Sequence, residues 1–399
     1  MTAAAYPTVV VGASVAGVRV VQALRRRGDD RPIVLLDRET AAPYDKPALS
    51  KSVLTEPDSK PQTLLSDTDA RDLDVELRRG TTVSGVDLAA RRVICLDGAE
   101  VPFGHLVVAT GSHPRPLGGL DAFDGVHYLR TWSDAAALRS QLRNRPTVVV
   151  VGGGFIGAEV ASSARTLGLD VTLIEAGPHL FGRVMPAEVG RYAADLHRRN
   201  GVEVLCDRVV VRGRGQTRIE ELELDDGTRL PADLVVVGIG TRATTDWLHD
   251  SGLPLSDGLC CSANLAVHGA ERVWAVGDVA RWDDTELGRS RRTEHWTTAR
   301  EQAVYVAEAI TGGPASRPFT STGYVWSDQH GVRIQHVGSY DGSTITKRQP
   351  ADGEHGELFL HCRADTVVGA TAFDAPRNLL AVRRSLTTPT PASQNGAQR

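Results

Sequence analysis

Two stretches of this chain, about a third of its length apart, repeat one pattern that few folds accept. The first is Val9-Val10-Val11-Gly12-Ala13-Ser14-Val15-Ala16-Gly17, and the second is Val148-Val149-Val150-Val151-Gly152-Gly153-Gly154-Phe155-Ile156-Gly157. Each is a short apolar run suited to a buried parallel strand, breaking into a turn of small residues and then into a helix-compatible segment. Glycines at such a turn let backbone N–H groups approach a pyrophosphate, whose charge is favoured at the helix N-terminus. One match is weak. Two, each followed by another apolar strand that ends in an acid, predict an α/β protein with two Rossmann-like nucleotide-binding units and redox chemistry between two nucleotides.

With 399 residues the chain has room for two or three domains. A net charge of −4 gives no case for nucleic acid or membrane binding. Neither a basic-apolar leader nor an apolar run of transmembrane length is present, which makes the cytoplasm the default expectation. Cysteines 95, 206, 260, 261 and 362 are odd in number and scattered, unlike a disulfide scaffold or a zinc site, so no metal is expected. The vicinal pair Cys260 and Cys261 reads as packing, because neighbours in an extended segment point to opposite faces.

Strand-turn-helix occupies residues 8–27, and Ile33–Leu36 reads as the next strand. His105–Ala109 ends in Thr110-Gly111, where a turn begins. The second unit has helix-like 133–143, strand 147–151, helix 156–168 and strand Val171–Ile174; Leu234–Val237 closes it and enters Gly238-Ile239-Gly240. Val273–Val276 then runs into Gly277-Asp278, and 294–310 has helical periodicity. From about 322 alternating segments such as Val332–Val337, Glu357–Leu360 and Thr366–Ala370 read as antiparallel strands, with a helix near 375–384. The Ser-, Thr- and Pro-rich end reads as a disordered tail.

A carboxylate closing the second strand of such a unit can accept hydrogen bonds from the adenosine ribose. In the second unit this is Glu175, which would also repel a 2′-phosphate and so argues for NADH over NADPH. In the first unit Asp37 and Glu39 compete, with Glu39 favoured.

At this point a resemblance becomes specific. Pro43-Tyr44-Asp45-Lys46-Pro47-Ala48-Leu49-Ser50-Lys51, Ala109-Thr110-Gly111, Gly238-Ile239-Gly240, Ala275-Val276-Gly277-Asp278, Glu294-His295-Trp296 and Trp326-Ser327-Asp328-Gln329 occur in the order seen in FAD-dependent NAD(P)H:ferredoxin reductases. These are the putidaredoxin and rubredoxin reductase-like enzymes of bacterial oxygenase systems, within the glutathione-reductase-like superfamily. The resemblance runs over about residues 7–385. It implies a FAD domain in two segments (1–112 and 241–321), an inserted NAD domain (113–240), a C-terminal α+β domain (322–385) and a tail (386–399).

The resemblance also implies roles. Gly12, Ala16 and Gly17 lie along the FAD pyrophosphate with Glu39 on the ribose, and Val83, Ala109, Thr110, Gly111 and Arg130 contact FAD. Lys51 sits near the isoalloxazine, Gly277 and Asp278 hold the ribityl chain, and Glu294, His295 and Trp296 open a helix toward the flavin pyrimidine edge. The positive end of that helix favours charge on reduced flavin. NADH falls to Gly152, Gly154, Ile156, Gly157, Glu159, Glu175, Arg183 and Gly240. Lys51 and Glu159 meet beside the flavin, and Trp326 either closes over the flavin or nicotinamide face or fills the domain interface. His295 is given no chemical step.

Two departures from the family pattern stand out. Ser14 replaces the middle fingerprint glycine of the first unit, and Lys46 stands where many relatives carry arginine, keeping charge but losing the fork geometry. One absence is informative: relatives that pass electrons through a dithiol carry two cysteines at the stretch corresponding to 44–51, and this chain has none there. The implied function is an NADH:ferredoxin oxidoreductase in which FAD takes hydride and passes electrons singly to a small iron–sulfur ferredoxin. That ferredoxin would feed a haem monooxygenase or ring-hydroxylating dioxygenase. The alternatives are an NADH oxidase and an NADH-responsive flavoprotein without a ferredoxin. Arg289, Arg291, Arg292, Arg383 and Arg384 are candidates for a basic face toward an acidic partner. Monomer and weak homodimer both remain open.

Overall fold

The computed structural model describes residues 6–312, 317–340, 344–351 and 356–387. Two five-stranded parallel sheets organise it, built on one plan. In the first, the central strand Thr8–Val11 has Ile33–Leu36 and then Val75–Arg78 on one side, with His105–Val108 and then Val273–Ala275 on the other. In the second, Val148–Val151 has Val171–Ile174 and Val202–Leu205 on one side, with Leu234–Val237 and Val126–Tyr128 on the other. The fully apolar strands are buried along their whole length, as a parallel sheet covered on both faces requires.

The turn after each central strand is fixed by contacts within the chain. Gly12 has φ +106° and Gly152 φ +109°, and a Cβ on either would strike the carbonyl oxygen of Ala109 or Gly238 in the neighbouring strand exit. Gly17 and Gly157 lie one helical turn on, where a Cβ would run into the carbonyl oxygen of Gly12 or Gly152. Helices Val15–Arg26 and Phe155–Thr166 therefore start hard against their strands. Val15–Arg26 also packs on helix Trp296–Ile310, whose buried Ala299, Ala303, Val306, Ala307 and Ile310 form one stripe.

The chain passes between the two sheets through one antiparallel pair, Ser112–Pro114 with Thr241–Ala243. Smaller sheets decorate the two units, and beyond residue 321 a five-stranded antiparallel sheet follows, ordered 325–329, 332–338, 366–373, 357–363, 345–350. Helix Pro376–Thr387 covers one face through Leu379, over Val337, Leu358, Ala370 and Ala372. From the other face Ile334, Phe359 and Phe373 join the core of the second parallel unit.

Two boundaries move from the sequence expectation. The C-terminal sheet gains strands Val325–Gln329 and Ile345–Pro350. The last helix continues to Thr387, past the expected tail start at 386, because Leu386 packs against the cluster under the helix; the remainder of that tail, 388–399, lies outside the described residues.

Candidate functional site

Most helix N-termini in a folded chain satisfy their orphan N–H groups locally. Here Trp132–Leu142 starts with a complete capping box from Thr131 and Asp134, and Asp67–Asp72 with one from Ser66 and Asp69. The two fingerprint helices are built oppositely. Val15–Arg26 has no acid in its first turn, and Ser14 at its N-cap makes no side-chain bond. Phe155–Thr166 also lacks an acid there, and its N-cap is Gly154. Both present bare N–H groups, the arrangement that receives a phosphate.

Ser14 and Gly154 occupy equivalent positions with ordinary extended backbone, φ −93° and −75°. A Cβ on Gly154 would find only Gly238 O, 4.0 Å away, so nothing in the chain itself forbids a side chain at this point. The serine is accommodated without strain.

The cleft above the first helix is lined by Gly12, Ser14, Asp37, Glu39, Val83 and Arg130 together with the Ala109-Thr110-Gly111 turn. Its acid is held from several sides. The Tyr44 hydroxyl donates to Glu39 Oε2 at 2.6 Å, and Lys46 Nζ donates to Oε1 at 2.8 Å. Burial pushes the Glu39 carboxyl up, but the Lys46 ammonium and these donors outweigh it and hold the group below the usual carboxylate range. Asp37 accepts only the Glu39 N–H among side-chain bonds described for it, and burial raises its carboxyl. Lys46, the residue that departs from arginine, is thus engaged with a carboxylate.

Asp134 positions Arg130. Its Oδ2 accepts the Arg130 and Thr131 N–H groups, and the Arg130 guanidinium then reaches Asp278 at 3.2 Å. Asp278 also accepts the Ser112 hydroxyl at 2.8 Å, while Gly277 donates its N–H to Gln302. Of the expected first-unit residues, Ala16 and Gly17 are buried under the turn and serve its geometry. Gly277 is packed against Ala16, so a Cβ there would sit 3.2 Å from the alanine methyl.

The helix at 296–310 begins beside this region. His295 is its N-cap with no side-chain bond, and burial lowers its imidazole, keeping it neutral. Glu294 is exposed and bound by Thr241 and Arg292. The Trp296 indole donates to Asp45 at 2.6 Å and meets Trp326 edge-on at 5.3 Å, and Trp326 in turn stacks near Tyr324.

Lys51 and Glu159 are brought together from different units. Lys51 Nζ lies 2.7 Å from Glu159 Oε2, and Glu159 is only 3% exposed. The carboxylate also accepts Ser50 Oγ at 2.5 Å and Ser327 Oγ at 2.6 Å. A buried carboxylate with two hydroxyl donors and a cation is the fully compensated case.

In the second unit Glu175 folds over the glycine turn, accepting Gly153 N–H at 2.6 Å and Gly177 N–H at 2.8 Å. The Arg183 guanidinium lies on Gly240, in space that a Cβ would occupy. Ile156, in the first turn of the helix, is 46% exposed although apolar.

The proposed basic face fares differently. Arg291 bridges buried Asp284 and stacks on Trp282, and Arg292, 8% exposed, is tied to Asp257 and Glu294. These two arginines hold a local sheet together, so they are not a free docking surface. Arg383 lies over the Tyr324 ring. Residues the sequence reading passed over include Tyr44, Ser50, Ser112, Ser327 and Gln302. Tyr44, Ser50 and Ser327 lay inside the quoted motifs, whereas Gln302 carried no signal.

Two parallel sheets, each ending in a bare helix N-terminus beside a strand-end carboxylate, define the class: a two-nucleotide flavoprotein-type oxidoreductase scaffold. Residues 6–303 match the model of the pyridine nucleotide-disulphide oxidoreductases and 324–397 that of the reductase C-terminal domain, so the chain belongs to the pyridine nucleotide-disulphide oxidoreductase family. It is 37% identical over 388 residues to the ferredoxin–NAD(+) reductase component of the anthranilate 1,2-dioxygenase system of Burkholderia cepacia, covering 95% of this chain and 94% of the relative. It is 33% identical over 385 residues to terpredoxin reductase of a Pseudomonas species, covering 95% and 92%. Among solved structures, putidaredoxin reductase in its covalent complex with putidaredoxin superimposes with a TM-score of 0.90 at 29% identity, covering 96% of this chain and 94% of that one.

Proposed function

We propose that this chain is a FAD-dependent NADH:ferredoxin oxidoreductase serving a monooxygenase or dioxygenase. The observation that carries the reading is the Lys51–Glu159 pair, joining the first unit to the second where no cysteine is present between residues 44 and 51. Bound FAD would supply the chemistry of accepting hydride from NADH and releasing electrons one at a time.

The residues present fit that group. The bare N-terminus of helix Val15–Arg26 receives the pyrophosphate, beside Gly12 and the small hydroxyl of Ser14. Glu39, kept ionised by Lys46 and Tyr44, is a better acceptor for ribose hydroxyls than Asp37, whose burial disfavours charge. Asp278, held by Arg130 and Ser112, would bind the ribityl chain. Lys51 would present a cation to the isoalloxazine, with Glu159 holding the ammonium in position. Trp326 and Trp296, edge to face with each other, would shield the ring system from water. This reading divides the chain into a FAD domain (1–112 with 241–321), an NAD domain (113–240) and a C-terminal domain (322–385).

For the donor, the helix at Gly154 takes the second pyrophosphate, Ile156 offers an apolar contact and Arg183 lies alongside Gly240. Glu175, its oxygens anchored by two backbone N–H groups, is a fixed negative charge where a 2′-phosphate would fall, which favours NADH. The acceptor is a small iron–sulfur ferredoxin, as in the systems after which the relatives are named. The reading is tested by anaerobic reduction with NADH and NADPH in turn, followed by cytochrome c reduction with and without added ferredoxin. Fast reduction by NADH and ferredoxin-dependent turnover are expected. Fast reduction by NADPH alone would overturn the role of Glu175.

A further inference from the structure

Glu159 is the inner end of a hydrogen-bonded chain that runs outward to half-buried His330. Ser327 Oγ lies 2.6 Å from Glu159 Oε1, Gln329 Nε2 lies 2.9 Å from Ser327 Oγ, His197 Nε2 lies 3.0 Å from Gln329 Oε1, and His330 Nε2 lies 3.0 Å from His197 Nδ1. Ser327, Gln329 and His197 are each 0% exposed, while His330 is half-buried. The members come from helix Ala187–Arg199 of the second unit and from strand Val325–Gln329 with its following turn.

Donor and acceptor rules set one direction for every proton in this chain. A carboxylate only accepts, so the single Ser327 hydroxyl proton goes to Glu159. Ser327 must then accept, so Gln329 presents its NH2 to the serine and its oxygen to His197. His197 accordingly carries its proton on Nε2 and leaves Nδ1 to accept from His330. Burial lowers both imidazoles to about 4, which keeps them neutral and the pattern intact. Four donors point the same way in a dry interior, where such bonds polarise one another. The amide of Gln329 blocks passage of a proton, so the chain carries polarisation and orientation only.

Resting on the flavin-side placement of Lys51 and Glu159 proposed above, we infer that Ser327, Gln329, His197 and His330 form a positioning relay for the Glu159 carboxylate. Ser327 draws charge toward Oε1, leaving less on Oε2 to neutralise Lys51, so the ammonium presents more of its positive field to the flavin. Loss of the relay makes Glu159 neutralise Lys51 more completely and the flavin harder to reduce.

The test uses FAD-loaded protein and three variants: Ser327→Ala, Gln329→Met and Lys51→Met. The relay variants are expected to lower the equilibrium constant for flavin reduction about tenfold, equal to a potential about 30 mV more negative for a two-electron couple. They should slow flavin reduction by NADH with less than a twofold change in its KM. Nitrogen-15 NMR of histidine-labelled parent protein should give His197 as the Nε2–H tautomer with Nδ1 accepting. A His197 protonated on Nδ1, or relay variants within twofold of the parent in both rate and reduction equilibrium, overturns the relay. If Lys51→Met also leaves the potential unmoved, the flavin-side placement itself fails; if Lys51→Met shifts it and the relay variants do not, the relay alone is wrong.

Discussion

At the scale of single residues, the candidate site is built from charges that are desolvated and then partnered. Lys51 and Glu159 illustrate the consequence. Removing the lysine leaves a carboxylate at 3% exposure with hydroxyl donors alone. Lys51→Met is therefore expected to destabilise the protein by about 3 kcal/mol, the lower end for a broken buried pair because the lysine is itself partly exposed. Chemical denaturation checks this, and an unchanged midpoint would show that the pair is not coupled. Glu175 gives a second expectation. Glu175→Ala removes the fixed anion, so the NADH-to-NADPH ratio of kcat/KM should fall by about tenfold or more, a like-charge penalty being worth several kcal/mol. A ratio that stayed constant would place cofactor choice elsewhere.

At the scale of elements, the two fingerprint turns separate glycines that the fold needs from one that it does not. Gly157 sits against the Gly152 carbonyl oxygen with no room for a methyl group, whereas Gly154 faces open space. Gly157→Ala is expected to cost about 1–3 kcal/mol or more through backbone displacement. Gly154→Ala should leave the melting temperature unchanged within error while raising KM for NADH. Equal thermal effects of the two substitutions would contradict the distinction. These turns were legible in the sequence because apolar run, small-residue turn and helix are all local. Edge elements were not. Val75–Arg78 buries a single residue fully, and Val126–Tyr128 none, so neither shows a run that marks a strand. Nor could the surroundings of Glu159 be read, since its partners Ser50 and Ser327, and His197 reached through Gln329, are far apart in the chain and only tertiary packing joins them. Arg291 and Arg292 looked like surface charge for the converse reason: the acids that claim them, Asp284 and Asp257, are set by sheet pairing and turns.

At the scale of the whole molecule, the C-terminal sheet and the second unit share a core, and that core contains neutral histidines. Burial lowers His197 and His361 to about 4 and His336 to about 3. Their folded values lie below the unfolded value near 6.5, so the unfolded chain binds more protons in between, and stability falls as pH drops from about 6.5 toward 4. Each histidine contributes a slope of about 1.4 kcal/mol per pH unit at most within that window. Thermal melts at pH 7, 6, 5 and 4.5 should show a steepening decline; a flat profile would mean these imidazoles are not held neutral.

On the proposed function, electrons would pass from a donor on the second unit to a flavin on the first, with Lys51 and Glu159 at the junction and no cysteine between residues 44 and 51. Anaerobic stopped-flow mixing of the FAD-loaded protein with NADH, followed by addition of a ferredoxin, measures this path directly. The account predicts rapid bleaching of the flavin absorbance by NADH and its return only when the iron–sulfur protein is added. Failure of NADH to bleach a correctly folded, flavin-loaded sample would contradict it.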